Sequence, residues 1–169
     1  MGMEIRRVPP DWQHPRYTKD NAERPEQVGK LIPTCDNDYE SASEEWMAEL
    51  DLWRAGNHPD QVDYCKYYWE WAGAPPDEIS YRQRKWTAEE ATHFQVYETV
   101  SEGKPITPAF ATEAELVDHL VNSGTDWDDE PKGWPRDNAK KFVEHQHAFS
   151  MVKHPGEGIK QVRDPGFFK

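Results

Sequence analysis

Residues 92–120, THFQVYETVSEGKPITPAFATEAELVDHL, read in order as strand, tight turn, strand and helix, and that order decides the fold class. Over 93–100 the side chains alternate, with Phe94, Val96 and Val100 on one face and His93, Gln95, Tyr97 and Thr99 on the other. A period of two is the signature of a half-buried strand. Ser101, Glu102, Gly103 and Lys104 supply the turn, and Gly103 is free to take a positive φ. Residues 105–110 return as a short strand, which Pro105 and Pro108 place at an edge, since a proline nitrogen donates no ladder bond. Thr112 caps the next helix, and Glu115, three residues on, completes a capping box.

The chain on either side extends this reading. Residues 135–146 form a helix with Ala139, Phe142 and Val143 inward, and 149–153 pairs with 159–162 across a turn at 154–158. Upstream, Tyr39, Ala42, Trp46, Leu50 and Trp53 recur at helical steps, with Asp38 as cap and Gly56 just past the end. A second helix beginning at Asn57 or His58 and ending at Gly73 makes an antiparallel helical hairpin over 38–73. Residues 1–34 are extended and proline-rich, with a short strand around Ile5 and Val8. The expected fold is α+β, a small mainly antiparallel sheet with about four helices packed on it. Residues 1–169 are expected as one domain, comprising the segments 1–34, 38–73 and 92–169.

Only 36% of residues are hydrophobic, so the core must draw on the eight Trp, seven Tyr and six Phe. Thirty-two acids against twenty bases give a net charge of −12, which opposes nucleic acid and anionic membranes and suits a basic protein partner. Plain solubility accounts for the same charge. No apolar run approaches the roughly 20 residues of a membrane span. Cys35 and Cys65 stand apart, no signal peptide is legible at the start, and a reducing cytoplasm is expected.

Three constellations carry candidate chemistry. Asp38, Glu40, Glu44, Glu45 and Glu49 concentrate negative charge on one helix, either as a docking face, even a DNA-mimicking one, or as a solvated surface. Tyr64, Tyr67, Tyr68, Trp69 and Trp71 project in several helical directions, so some ring is left for contact with another chain unless the N-terminal segment covers it. Trp69 and Trp71 are the candidate anchors. Glu98 shares the inward parity of Phe94 and Val96 and needs a partner there. It is either half of a structural ion pair or, with His93 and Tyr97, part of a ligand or acid–base site, to which Glu102 is a further candidate. Asp126, Asp128, Asp129 and Glu130 lack the spacing of a calcium loop, and no HExxH, P-loop or nucleophile elbow occurs. No metal and no cofactor are expected.

With these residues in view, the chain resembles a family of small proteins encoded by tailed bacteriophages. The resemblance rests on Ile5-Arg6-Arg7-Val8-Pro9 with Trp12 and His14-Pro15, on Leu31-Ile32-Pro33 followed by Asp38-Tyr39 and the Trp/Glu-rich helix, and on His93-Phe94-Gln95-Val96-Tyr97-Glu98-Thr99 with Ser101-Glu102-Gly103 and Pro105-Ile106-Thr107-Pro108. Residues 149–152 add a weaker match. The connector over 81–86 is more basic than the family pattern, and the paired CxxC motifs of some relatives are missing, so zinc does not carry over. No reaction comes with the family. The resemblance implies a phage accessory protein in the host cytoplasm that works by protein binding, as an acidic inhibitor of a host nucleic-acid-binding or defence factor. The alternatives are a small enzyme or ligand-binding protein using Glu98, and a virion or assembly component. Homo-oligomerisation is left open.

Overall fold

A computed structural model of the chain describes residues 2–62, 64–82, 84–99, 103–126, 133–149, 151–154 and 158–168. Among these the chain is α+β, with four α-helices and small antiparallel sheets. The chain divides into two compact units, Met1–Pro33 with Trp86–Lys169, and Thr34–Lys85.

The first unit is built on a three-stranded sheet. β1 (Gly2–Val8) lies in the centre, with β2 (His93–Glu98) and β3 (His147–Phe149) antiparallel on either side. The register sets Met3 opposite Glu98, Ile5 opposite Val96 and Arg7 opposite Phe94. The strand at Ile5 and Val8 thus pairs with a segment some ninety positions later in the chain, an association that no local pattern encodes. The expected return over 105–110 is present in reduced form. Phe110 and Phe94 exchange both backbone bonds at 2.8 Å, and Ile106 N–H donates to Val96 O at 2.8 Å, but only isolated bridges result. The two prolines remove the donors a full ladder would need. The turn residues Ser101 and Glu102 lie outside the described residues.

α3 (Glu113–Ser123) opens with the expected capping box, Glu115 N–H to Thr112 Oγ1 and Thr112 N–H to Glu115 Oε2, both 3.2 Å. α4 (Arg136–His145) follows Pro135 and ends at Gln146, whose φ of 61° is left-handed. Phe94 and Val96 meet Leu116, Leu120 and Phe142 in a fully buried cluster. Asn138 on α4 is buried as well, and its Nδ2 donates to the carbonyls of Val162 and Asp164, each at 2.7 Å, tying down the end of the chain. β4 (Met151–His154) and β5 (Gly158–Gln161) form the second, two-stranded sheet, the hairpin read from the sequence, with residues 155–157 of its turn outside the described set.

β2 departs from the half-buried expectation: every residue from Phe94 to Glu98 is buried. Its second face is roofed by Trp12 and His14 from the N-terminal segment, a polar-tipped cover that period-two reasoning alone cannot foresee.

In the second unit α1 (Tyr39–Arg54) takes shape as read. Asp38 Oδ1 accepts from Ser41 N–H at 3.0 Å. Gly56 adopts φ 74°, and the bonds Gly56 N–H to Trp53 O and Asn57 N–H to Leu52 O close a Schellman stop. The helical hairpin expected over 38–73 is not seen among the described residues: the chain begins with a strand, and the second helix there is only α2 (Tyr68–Ala72). Asn57, Asp60 and Val62 are poor helix formers, and side chains compete for the backbone here. His58 Nδ1 accepts from Asp60 N–H at 3.1 Å, and Gln61 Nε2 donates to Trp53 O at 3.2 Å. α2 starts only where Glu70 reaches back to the N–H groups of Lys66 and Tyr67 at 2.9 and 3.0 Å. The core of this unit is small: Leu50, Trp53 and Tyr68, flanked by Trp46, Val62 and Cys65.

Candidate functional site

α1 offers two faces with different uses. Glu40, Glu44 and Asp51 lie on its outer side and are exposed. Ala42, Glu45, Trp46 and Glu49 follow the 0, 3, 4, 7 spacing of a single stripe, and that stripe walls a groove of about 490 Å³ completed by Tyr68 of α2, Tyr81, Pro76 and the 35–37 segment. Backbone bonds from Cys35 N–H to Ser80 O and from Tyr39 N–H to Arg82 O, both 2.8 Å, hold the two flanking segments together. The Trp46 and Tyr68 rings meet edge-on, 5.2 Å apart at 61°. Glu49 Oε2 lies 2.9 Å from His58 Nε2, and Asp36 lies 3.8 Å from Arg82. Burial pushes the Tyr68 phenol up, and the nearby Glu49 and Glu45 carboxylates push it further, so the groove carries a negative potential.

The five candidate acids therefore divide. Asp38 is buried as the helix cap, where the Ser41 N–H holds its carboxyl below the usual range, and it contributes nothing to an outer face. Glu40 and Glu44 point to solvent, while Glu45 and Glu49 border the groove. The candidate anchors are exposed, Trp69 by 49% and Trp71 by 44%. Tyr67 stacks on Trp69 at 4.4 Å and 6°, and Tyr64 is 81% exposed. Such a concentration of uncovered rings on a unit with so small a core is unusual for a surface with no partner.

The alternative set does not converge. Strand alternation puts Glu98 on the face opposite Tyr97 and His93, and His93 turns to Thr92 Oγ1 at 3.1 Å. Glu98 is 4% exposed, and its Oε1 has no hydrogen-bond partner among the described residues, so the ion pair expected for it is not seen there. Tyr97 belongs instead to a cluster that the sequence did not disclose. Its hydroxyl accepts from Trp12 Nε1 at 3.2 Å and donates to Gln95 Oε1 at 3.0 Å, while Gln95 Nε2 donates to Thr107 O at 2.9 Å. The Arg6 guanidinium covers the Tyr97 ring at 4.5 Å. His14 Nε2–H donates to Ile32 O at 2.7 Å, which leaves Nδ1 facing the Tyr97 hydroxyl at 3.4 Å. Burial pushes His14 below its ordinary value, the Ile32 bond pulls it back, and Arg6 and Arg16 push it down again. Tyr97 is 2% exposed under the half-buried Trp12 and His14, so this cluster is a strut between strand and N-terminal segment. In the sequence Trp12 and His14 carry part of the family resemblance, but nothing there places them against Tyr97.

Asp126 is exposed, while Asp128, Asp129 and Glu130 lie outside the described residues, as does Glu102. Among the described residues no three His, Cys, Asp or Glu side chains converge as metal ligands, and no helix is long and apolar enough to cross a membrane. Compared with family models, curated proteins and solved structures, the chain matches none.

Proposed function

We propose that this chain works by binding, with the 34–85 unit docking on a protein of basic surface. The observation that carries this reading is the pairing, on one small unit, of an acidic helix with uncovered aromatic rings: Glu40 and Glu44 exposed on α1, and the stacked Tyr67 and Trp69 exposed beside Trp71. Unpaired acids steer a basic partner at long range, and large rings supply the desolvated centre of a protein interface. Resemblance to tailed-phage proteins makes the partner a host nucleic-acid-binding or defence factor and the setting the host cytoplasm.

The test begins by recovering a basic protein from bacterial lysate on the tagged chain and then measuring association kinetics with that protein. Reversing Glu40 and Glu44 to Lys is expected to slow association about tenfold at low salt and flatten its salt dependence. Trp69→Ala is expected to act on dissociation, by about tenfold or more. An association rate indifferent to both charge reversals and to salt refutes the reading.

A further inference from the structure

We infer that the groove between α1 and α2 is a receptor for a single arginine side chain presented by the partner. This deepens the docking function proposed above and rests on it.

The groove joins three features that one ligand chemistry satisfies together. First, the groove is open to solvent and, at about 490 Å³, has room for a side chain laid along its floor. Second, its walls are aromatic on more than one side. Trp46 and Tyr68 stand edge to face at 5.2 Å, and Tyr81 lines the opposite segment. Tyr68 is buried against Trp46, Trp53 and His58, so the rings left open to the groove are those of the half-buried Trp46 and Tyr81, and an open ring face attracts an organic cation. Third, Glu45 and Glu49, one helical turn apart, flank Trp46 on the groove stripe. Glu45 has no hydrogen bond or ion pair among the described residues, and Glu49 places Oε2 2.9 Å from His58 Nε2. A phosphate or carboxylate ligand is repelled by this pair.

A planar guanidinium fits better than an ammonium. It stacks on a ring with one surface while its fork of N–H donors reaches two carboxylates in the ring plane, whereas the lysine head group is a strongly hydrated point charge. The groove is also open at the surface, so it is accessible to a side chain delivered by a protein. Charge complementarity with the basic partner identifies the occupant as that partner's arginine.

The experiment uses the full chain labelled with nitrogen-15 and titrated with acetyl-Gly-Arg-Gly-amide, its citrulline counterpart, and guanidinium chloride. The Trp46 indole resonance is assigned from Trp46→Phe. The arginine peptide is expected to give saturable shifts confined to Trp46, Tyr68, Tyr81 and their neighbours. The neutral citrulline peptide should bind about tenfold more weakly, and Glu45→Gln should weaken the arginine peptide about fivefold with the spectrum otherwise unchanged. Equal binding of citrulline, shifts mapping outside the groove, or saturation by guanidinium at the same concentration as by peptide overturns the assignment. The last outcome marks a site for a free small cation. If the peptide fails while partner association still responds to Glu40 and Glu44 reversal, the groove assignment alone falls. If the peptide binds but those reversals change nothing, the docking reading falls and the groove stands.

Discussion

His14 shows how one residue in a loop-like stretch can hold a strand in place. Its ring bonds Ile32 on one side and faces Tyr97 on the other, with Arg6 and Arg16 close enough to oppose its protonation. Because its pKa is lowered by folding, the unfolded chain takes up the proton first as pH drops. Its stabilising contribution is therefore complete above the ordinary value of 6.5 and is lost as pH falls through the lowered folded value. His14→Gln, which keeps a donor for Ile32, is expected to flatten the decline in melting temperature between about pH 7 and pH 5. The slope that remains comes in part from His119, which burial also lowers against the opposing charge of Asp126. An undiminished slope in the variant would remove His14 from this role. None of this was visible at the sequence level, where His14 has no partner at any regular spacing.

Among the elements, α3 was the most legible and its surroundings the least. Thr112, Glu115 and the stripe of Leu116, Val117 and Leu120 announce the helix, and it forms as they dictate. What the pattern does not say is that residue 133 crosses its C-terminal end. Trp134 N–H bonds Leu120 O at 2.8 Å, and a Cβ at Gly133 would sit 1.6 Å from Val121 O. The obstacle is backbone at the end of a packed helix, so it cannot rotate away. Gly133→Ala should cost about 1–3 kcal/mol or more through displacement of the chain from α3, read as a lower urea midpoint at unchanged slope. A neutral substitution would show that the crossing is loose. α2 illustrates the converse failure. Val62, Cys65, Tyr68 and Ala72 hold a helical period, yet Asn57, Pro59 and Asp60 favour turns, and the local hydrogen bonds of His58 and Gln61 win over the first turns of the expected helix.

At the scale of the whole molecule, two compact units carry unequal cores. The sheet unit buries Phe94, Val96, Leu116, Leu120 and Phe142 together, whereas the 34–85 unit relies on Leu50, Trp53 and Tyr68. Trp53→Ala should remove about 3–5 kcal/mol from the smaller one. Hydrogen exchange followed by mass spectrometry is expected to show protection collapsing over 34–85 while the β1–β2 amides stay protected. Equal loss throughout would show that the chain unfolds as one body. The division of labour follows from local physics against nonlocal physics. Capping residues, turn glycines and hydrophobic period act within a few positions, so the sequence by itself determined α1, α3, α4, the β4–β5 hairpin, the α+β class and the acidic balance. Tertiary structure alone decided that β1 pairs with β2, that Tyr97 is buried under Trp12 and His14, and that Glu45 and Glu49 face Trp46, Tyr68 and Tyr81 across a groove. Those meetings depend on burial shared between segments far apart in the chain, and no residue carries a mark of a neighbour it acquires only on folding.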